Sequence, residues 1–172
     1  MLTLNSFFIA LVLIWLSVCV AYDLKTRQVP NLLTLLPLVL VSIWRLTSGD
    51  WQPIFLIMVL ILISDLPKAG WRIPLGILAA VIAAGFAGFT EKPPQIVVLI
   101  VVWAVWERGL LGGADAKIIL ALVLLFADGR LLLPILIVGG LQGLVALTLK
   151  RKQIPYTLSI AIGSIVWMTL IR

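Results

Sequence analysis

Residues 4–31 read LNSFFIALVLIWLSVCVAYDLKTRQVPN. From Leu4 to Tyr22 there is no charge; then Asp23, Lys25 and Arg27 arrive together, and Pro30-Asn31 begins a second apolar run at Leu32. A membrane span needs roughly 17 to 25 mostly apolar residues, and the first run fits. Met1 to Val20 has no basic leader and no small-x-small cleavage site before Asp23, so the run reads as a retained first span rather than a removed signal peptide. Asp23 then stands at the water edge of a hydrophobic helix, where a charge is costly and has a task or a partner.

Working outward, the same pattern recurs. Eight candidate spans run about Leu4–Tyr22, Leu32–Leu46, Trp51–Ser64, Ile73–Phe89, Pro94–Trp106, Ala116–Ala127, Leu131–Leu149 and Ile154–Ile171. Breakers separate them: Ser48-Gly49-Asp50, Pro67 with Gly70, Pro93-Pro94, Gly112-Gly113 and Asp128-Gly129. The runs at Trp51–Ser64 and Ala116–Ala127 are short, so six to eight true spans fit the pattern. Of the 172 residues, 63% are hydrophobic, and mean hydropathy is +1.23. A soluble domain is nearer half apolar. The expected fold is therefore all-α: a polytopic integral membrane helix bundle, residues 1–172 forming one membrane-embedded domain with the lipid bilayer as solvent.

Thirteen Lys and Arg against seven Asp and Glu give a net charge of +6. With eight spans, alternate loops hold Lys25, Arg27, Lys68, Arg72, Arg108, Lys117, Lys150, Arg151 and Lys152, against Arg45, Lys92, Arg130 and Arg172 on the other side. The positive-inside rule puts the richer set in the cytoplasm and both chain ends outside. No basic stripe interleaved with aromatics suggests nucleic acid. Asp23 and Asp115 are then expected on the same, cytoplasmic, face. A basic or polar residue precedes Val/Ile-Pro at Arg27-Gln28-Val29-Pro30, Arg72-Ile73-Pro74 and Lys152-Gln153-Ile154-Pro155. Proline suits a first helical turn, so three helices are expected to start there.

The chain has no histidine and one cysteine, Cys19. This excludes a Ser-His-Asp triad, His-zinc hydrolysis, an intrachain disulfide and multi-cysteine zinc sites. Seven carboxylates remain. Asp50, Glu91 and Asp128 are expected as solvated loop charges near Arg45, Lys92 and Arg130; Glu107 as an interfacial ion pair beside Arg108; Asp65 as an interfacial charge near Lys68. Asp23 and Asp115 are the candidates. Gly112-Gly113 allows close backbone approach before Asp115. Asp115 can then stand at or near the start of the next helix, where unpaired N–H groups favour a carboxylate. Lys117 is too close in sequence to share its helical face. Spacing alone leaves two readings of the pair, a catalytic dyad or a polar network.

Asp23 with Val29-Pro30-Asn31, followed far downstream by Gly112-Gly113-Ala114-Asp115-Ala116-Lys117, resembles the type IV prepilin peptidases, membrane aspartyl peptidases with a Gly-x-Gly-Asp motif. The late Ile154-Pro155-Tyr156 and the small and apolar residues up to Gly163 resemble a further family segment, so the likeness covers nearly the whole chain. It implies catalytic Asp23 and Asp115 on the cytoplasmic side of the inner membrane, with Pro30, Asn31, Gly112, Gly113 and Lys117 supporting the motif. It implies as substrate a pilin-like precursor, cut between its basic leader and its hydrophobic helix. The methylating cytoplasmic segment with paired Cys-x-x-Cys motifs is missing, so the chain resembles the short, peptidase-only members serving tight-adherence pili or archaeal-type filaments. Val29 replaces the commoner Ile. Ala114 replaces the motif's second glycine; were φ positive there, alanine would cost about 1–2 kcal/mol.

Hydrolysis by such a pair needs no metal or cofactor: one carboxylate takes a proton from water while the other, protonated, polarises the scissile carbonyl. Three rivals are set against it. In presenilin-type proteases the aspartates lie on successive helices and a Pro-Ala-Leu motif follows, whereas Pro155 here precedes Tyr156-Thr157. A small proton- or cation-coupled transporter also uses membrane carboxylates, though such groups sit at mid-membrane. The third is a catalytically inactive scaffold for a pilus machine, against which both aspartates and the glycine pair argue.

Overall fold

The structure is a computed structural model that describes residues 6–65, 69–86, 93–149 and 155–171. It is all-helical, with eight α-helices and no strand among the described residues: α1 Ser6–Thr26, α2 Asn31–Thr47, α3 Gln52–Ser64, α4 Ala69–Phe86, α5 Pro93–Glu107, α6 Gly113–Phe126, α7 Leu132–Thr148 and α8 Tyr156–Val166. A 3-10 turn, Gly129–Leu131, precedes α7, and a π-helical turn, Trp167–Ile171, follows α8. Each expected apolar run carries one helix. Pro67, Lys68, Glu91, Lys92, Arg172 and the stretch from Lys150 to Ile154 lie outside the described residues.

Among the described residues two helical stretches, Phe7–Thr26 and Gly129–Thr148, are long and apolar enough to cross a membrane. At 1.5 Å per residue the 21 residues of α1 reach about 31 Å, close to a hydrocarbon core, whereas the 13 residues of α3 reach only about 20 Å.

Local chemistry explains where the helices stop. Gly49 (φ 81°) and Gly109 (φ 70°) adopt the left-handed conformation that ends a helix. After α2, Gly49 N–H bonds Leu46 O and Asp50 N–H bonds Arg45 O; after α5, Gly109 N–H bonds Trp106 O and Leu110 N–H bonds Val105 O. Both are Schellman motifs. That geometry brings together the side chains at the Arg45 and Asp50 positions, and here they form an ion pair, Nη1 to Oδ2 2.8 Å. The partners are as expected from the sequence, but the setting is not: the side chains are only 11% and 9% exposed, so Asp50 is no solvated loop charge. Asp128 does behave locally, accepting from Arg130 N–H at 2.8 Å and pairing with exposed Arg130.

Contacts group the chain into two compact units, Met1–Thr34 with Leu131–Arg172, and Leu35–Arg130. In the first, α1 buries Val12, Leu16 and Cys19, a single stripe at helical spacing, and packs on α8. Its other faces carry exposed Phe7, Leu11, Ile14 and Val18. The Trp15 indole donates to Leu33 O at 2.8 Å. That carbonyl lies four residues before Pro37, which has no N–H to offer it, so tryptophan replaces the missing helical bond. Helices α7 and α8 approach closely at Gly163, where a Cβ would lie 2.5 Å from Ile135 Cα. Gln142 reaches across to Pro155 O at 3.2 Å and accepts from the Ser159 hydroxyl.

In the second unit α3, α4, α5 and α6 pack around Leu56, Leu60, Leu99, Ile118 and Leu122. The Trp103 ring abuts Gly76, and its indole N–H donates to Ser64 Oγ at 2.9 Å, joining α5 to α4 and α3. At the C-terminal end of α6 the carbonyls lack helical partners. Buried Gln95 donates to Val123 O at 3.4 Å, and Arg45 Nε donates to Leu124 O at 2.7 Å. Pro74 lies inside α4, its sixth residue, and not in a first turn as the repeat suggested; Pro30 and Pro155 do stand immediately before α2 and α8.

Candidate functional site

Asp23 belongs to the first unit and Asp115 to the second. Each has a distinct local geometry.

Asp23 is half-buried in the last turns of α1. The helix runs past it to Thr26, one turn further than the apolar run implied, because the backbone finds a cap without glycine. Arg27 takes φ 57° and its N–H bonds Asp23 O at 2.9 Å. Thr26 Oγ1 lies 2.8 Å from both Tyr22 O and Gln28 O, stitching the turn. The chain re-enters helix at Asn31, where Leu33 N–H bonds Pro30 O at 3.0 Å. Pro30 and Asn31 thus form the start of α2, and the segment from Asp23 to Asn31 is one tight corner. Among the described residues the Asp23 carboxylate holds no hydrogen bond or ion pair. Asn31 does hold a polar or electrostatic contact.

Asp115 is the third residue of α6, with Gly112 at the N-cap in extended conformation (φ −63°, ψ 145°). Its carboxylate turns back over the cap: a Cβ on Gly112 would lie 2.9 Å from Asp115 Oδ2. Glycine is needed there for space, not for a positive φ. The first-turn N–H groups and the helix dipole favour a carboxylate in this place. The half-buried Asp115 is held by a polar or electrostatic contact, as is Lys117. Gly113 is less constrained, since a Cβ there would meet Trp106 Nε1 at 3.6 Å, ordinary van der Waals distance. Ala114 is helical and does not have positive φ, so the alanine carries no left-handed strain.

The other carboxylates are distributed differently from the sequence expectation. Glu107 pairs not with its neighbour Arg108 but with Arg72 of α4, Nη1 to Oε1 2.6 Å. Adjacent residues on a helix point to different faces, so the sequence neighbour was the wrong partner. Asp65 caps the end of α3 and is exposed. The sequence reading overlooked Trp106, whose ring borders Gly113. Its position at the end of an apolar run, immediately before the charged pair Glu107-Arg108, was the only signal.

No protein family, curated protein or solved structure matches this chain.

Proposed function

We propose that the chain is a polytopic aspartyl endopeptidase of the cytoplasmic membrane that removes the basic leader of type IV pilin-like precursors. The observation that carries this reading is the coincidence of both motif aspartates with helix ends. Asp23 lies in the last turns of α1 beside the Pro30-Asn31 corner, and Asp115 lies in the first turn of α6 over a glycine N-cap. Both carboxylates are half-buried. A membrane as solvent is supported by the outward-facing Leu32, Phe55, Leu62, Val81, Ile137 and Leu144, since water-soluble monomers seldom expose so much apolar surface. The positive-inside bias supports a cytoplasmic site and eight spans with both ends outside.

In the reaction, an ionised carboxylate accepts a proton from the attacking water. Its protonated partner polarises the scissile carbonyl and then protonates the leaving amine. Either aspartate can serve as the base while the other carries the proton, so neither owns one role. The apolar helices receive the precursor's hydrophobic segment, and the scissile bond then falls at the membrane–cytoplasm boundary.

Co-expression with a prepilin tests the proposal. Asp23→Asn and Asp115→Asn keep side-chain size and remove the proton chemistry, and each abolishes leader removal. Normal processing by both variants would refute it. Proton flux in liposomes that disappears in Asp115→Asn, without any cleavage, would instead identify a transporter.

A further inference from the structure

We propose that Trp106 and the Arg72–Glu107 pair are positioning residues that fix the orientation of the Asp115 carboxylate. The inference rests on Asp115 acting in the proposed hydrolysis. Glu107 is the last residue of α5, and Arg72 of α4 grips it at 2.6 Å with side chains 26% and 12% exposed. The next turn is closed by the bonds from Gly109 and Leu110 to Trp106 O and Val105 O. Five residues, 108–112, then lead to α6. On the far side of that loop the Trp106 indole borders Gly113, two residues before Asp115. An ion pair, a helix cap and a rigid ring therefore bracket the loop at both of its ends.

Tryptophan suits this task because a large rigid ring on two torsions makes a firm spacer. The indole Nε1 lies 3.6 Å from where a Cβ would stand on Gly113, so the ring stands beside the first turn of α6. Losing the ring lets the loop settle inward and turns the Asp115 carboxylate. Removing one partner of the sheltered pair breaks the tie between α4 and the end of α5. Reversing both charges keeps the pair, so a positioning role survives the exchange, whereas direct recognition of a charged substrate group would not.

The test uses the purified full-length protein in liposomes with a prepilin, and the variants Trp106→Ala, Glu107→Gln, Arg72→Glu, Glu107→Arg and the double exchange R72E/E107R. Trp106→Ala and the single charge variants lower kcat by about tenfold or more with KM unchanged, as displaced catalytic groups do. The double exchange recovers most of the loss. Independently of cleavage, carbodiimide labelling of Asp115 is read by peptide mass spectrometry against Asp128 as internal reference. It changes several-fold in Trp106→Ala and Glu107→Gln and returns in the double exchange. Labelling that follows this pattern while the wild type cleaves no prepilin would sink the peptidase reading and leave the positioning role standing. A wild type that cleaves, with Asp115 labelling and kcat unmoved in Trp106→Ala and Glu107→Gln, would overturn the positioning role. A rise in KM alone, not rescued by the exchange, would also overturn it in favour of direct substrate contact.

Discussion

Replacing Gly112 by alanine puts a methyl carbon 2.9 Å from Asp115 Oδ2, closer than real contacts allow. Something must shift, and the cheapest response is rotation of the Asp115 side chain against the contact that holds it, because its carboxylate ends a short side chain while the Gly112 backbone is the N-cap of α6. Turning the side chain off its rotamer costs about 0.5–1.5 kcal/mol, and alanine is a poorer N-cap than glycine by about 1 kcal/mol at most. These two terms come to about 1–2 kcal/mol, and the contact that holds Asp115 is weakened besides. The predicted loss of activity is larger. A catalytic group misplaced by about 1 Å loses on the order of a hundredfold in rate, equivalent to about 2.7 kcal/mol of barrier. Gly113→Ala is the internal control, since its methyl meets Trp106 at ordinary contact distance. Both variants are purified in detergent, their thermal unfolding is followed, and prepilin cleavage is timed under single-turnover conditions. Gly112→Ala should fold and cleave about a hundredfold more slowly, with Gly113→Ala close to wild type. Equal activity in the two variants would refute the claim that the Asp115 carboxylate works from its place over Gly112.

Trp15→Phe keeps the ring but leaves Leu33 O without its 2.8 Å donor in a helix where Pro37 cannot supply one; unfolding in mixed micelles should show about 1–3 kcal/mol of lost stability. Gly163→Ala forces a methyl to 2.5 Å from Ile135 Cα and should destabilise by about 1–3 kcal/mol, while Gly140→Ala, with nothing within 4 Å, should be neutral or stabilising by roughly 0.5–1 kcal/mol, both read from the same unfolding curves. Ala127 ends α6 at φ 53°, so Ala127→Gly should raise stability by about 1 kcal/mol, visible as a higher melting temperature.

Much of the helical frame was legible because hydropathy and breakers act locally. Gly49 and Gly109 stop their helices through bonds that span only a few residues, and the Arg45–Asp50 pair follows from the same cap. The depth of that pair was not legible, because its burial depends on Leu124 of α6, 79 positions away from Arg45. Nor was the Arg72–Glu107 pair, 35 positions apart, for which the adjacent Arg108 offered a false partner. At the candidate site the sequence located Asp115 near a helix start and marked Gly112 as special. It could not tell that glycine is required by the carboxylate itself, or that Ala114 lies in ordinary helix. Those follow from the register of α6, which begins at Gly113 and so makes Asp115 its third residue.

The central claim is that Asp23 and Asp115 together cut a pilin-like precursor. Its most direct test is the N-terminus of a prepilin incubated with the purified protein in liposomes, read by mass spectrometry. The wild-type protein should give a single new N-terminus at the junction of basic leader and hydrophobic helix, and Asp23→Asn or Asp115→Asn only intact precursor. Intact precursor with the wild type, or the same new N-terminus with both variants, would contradict it.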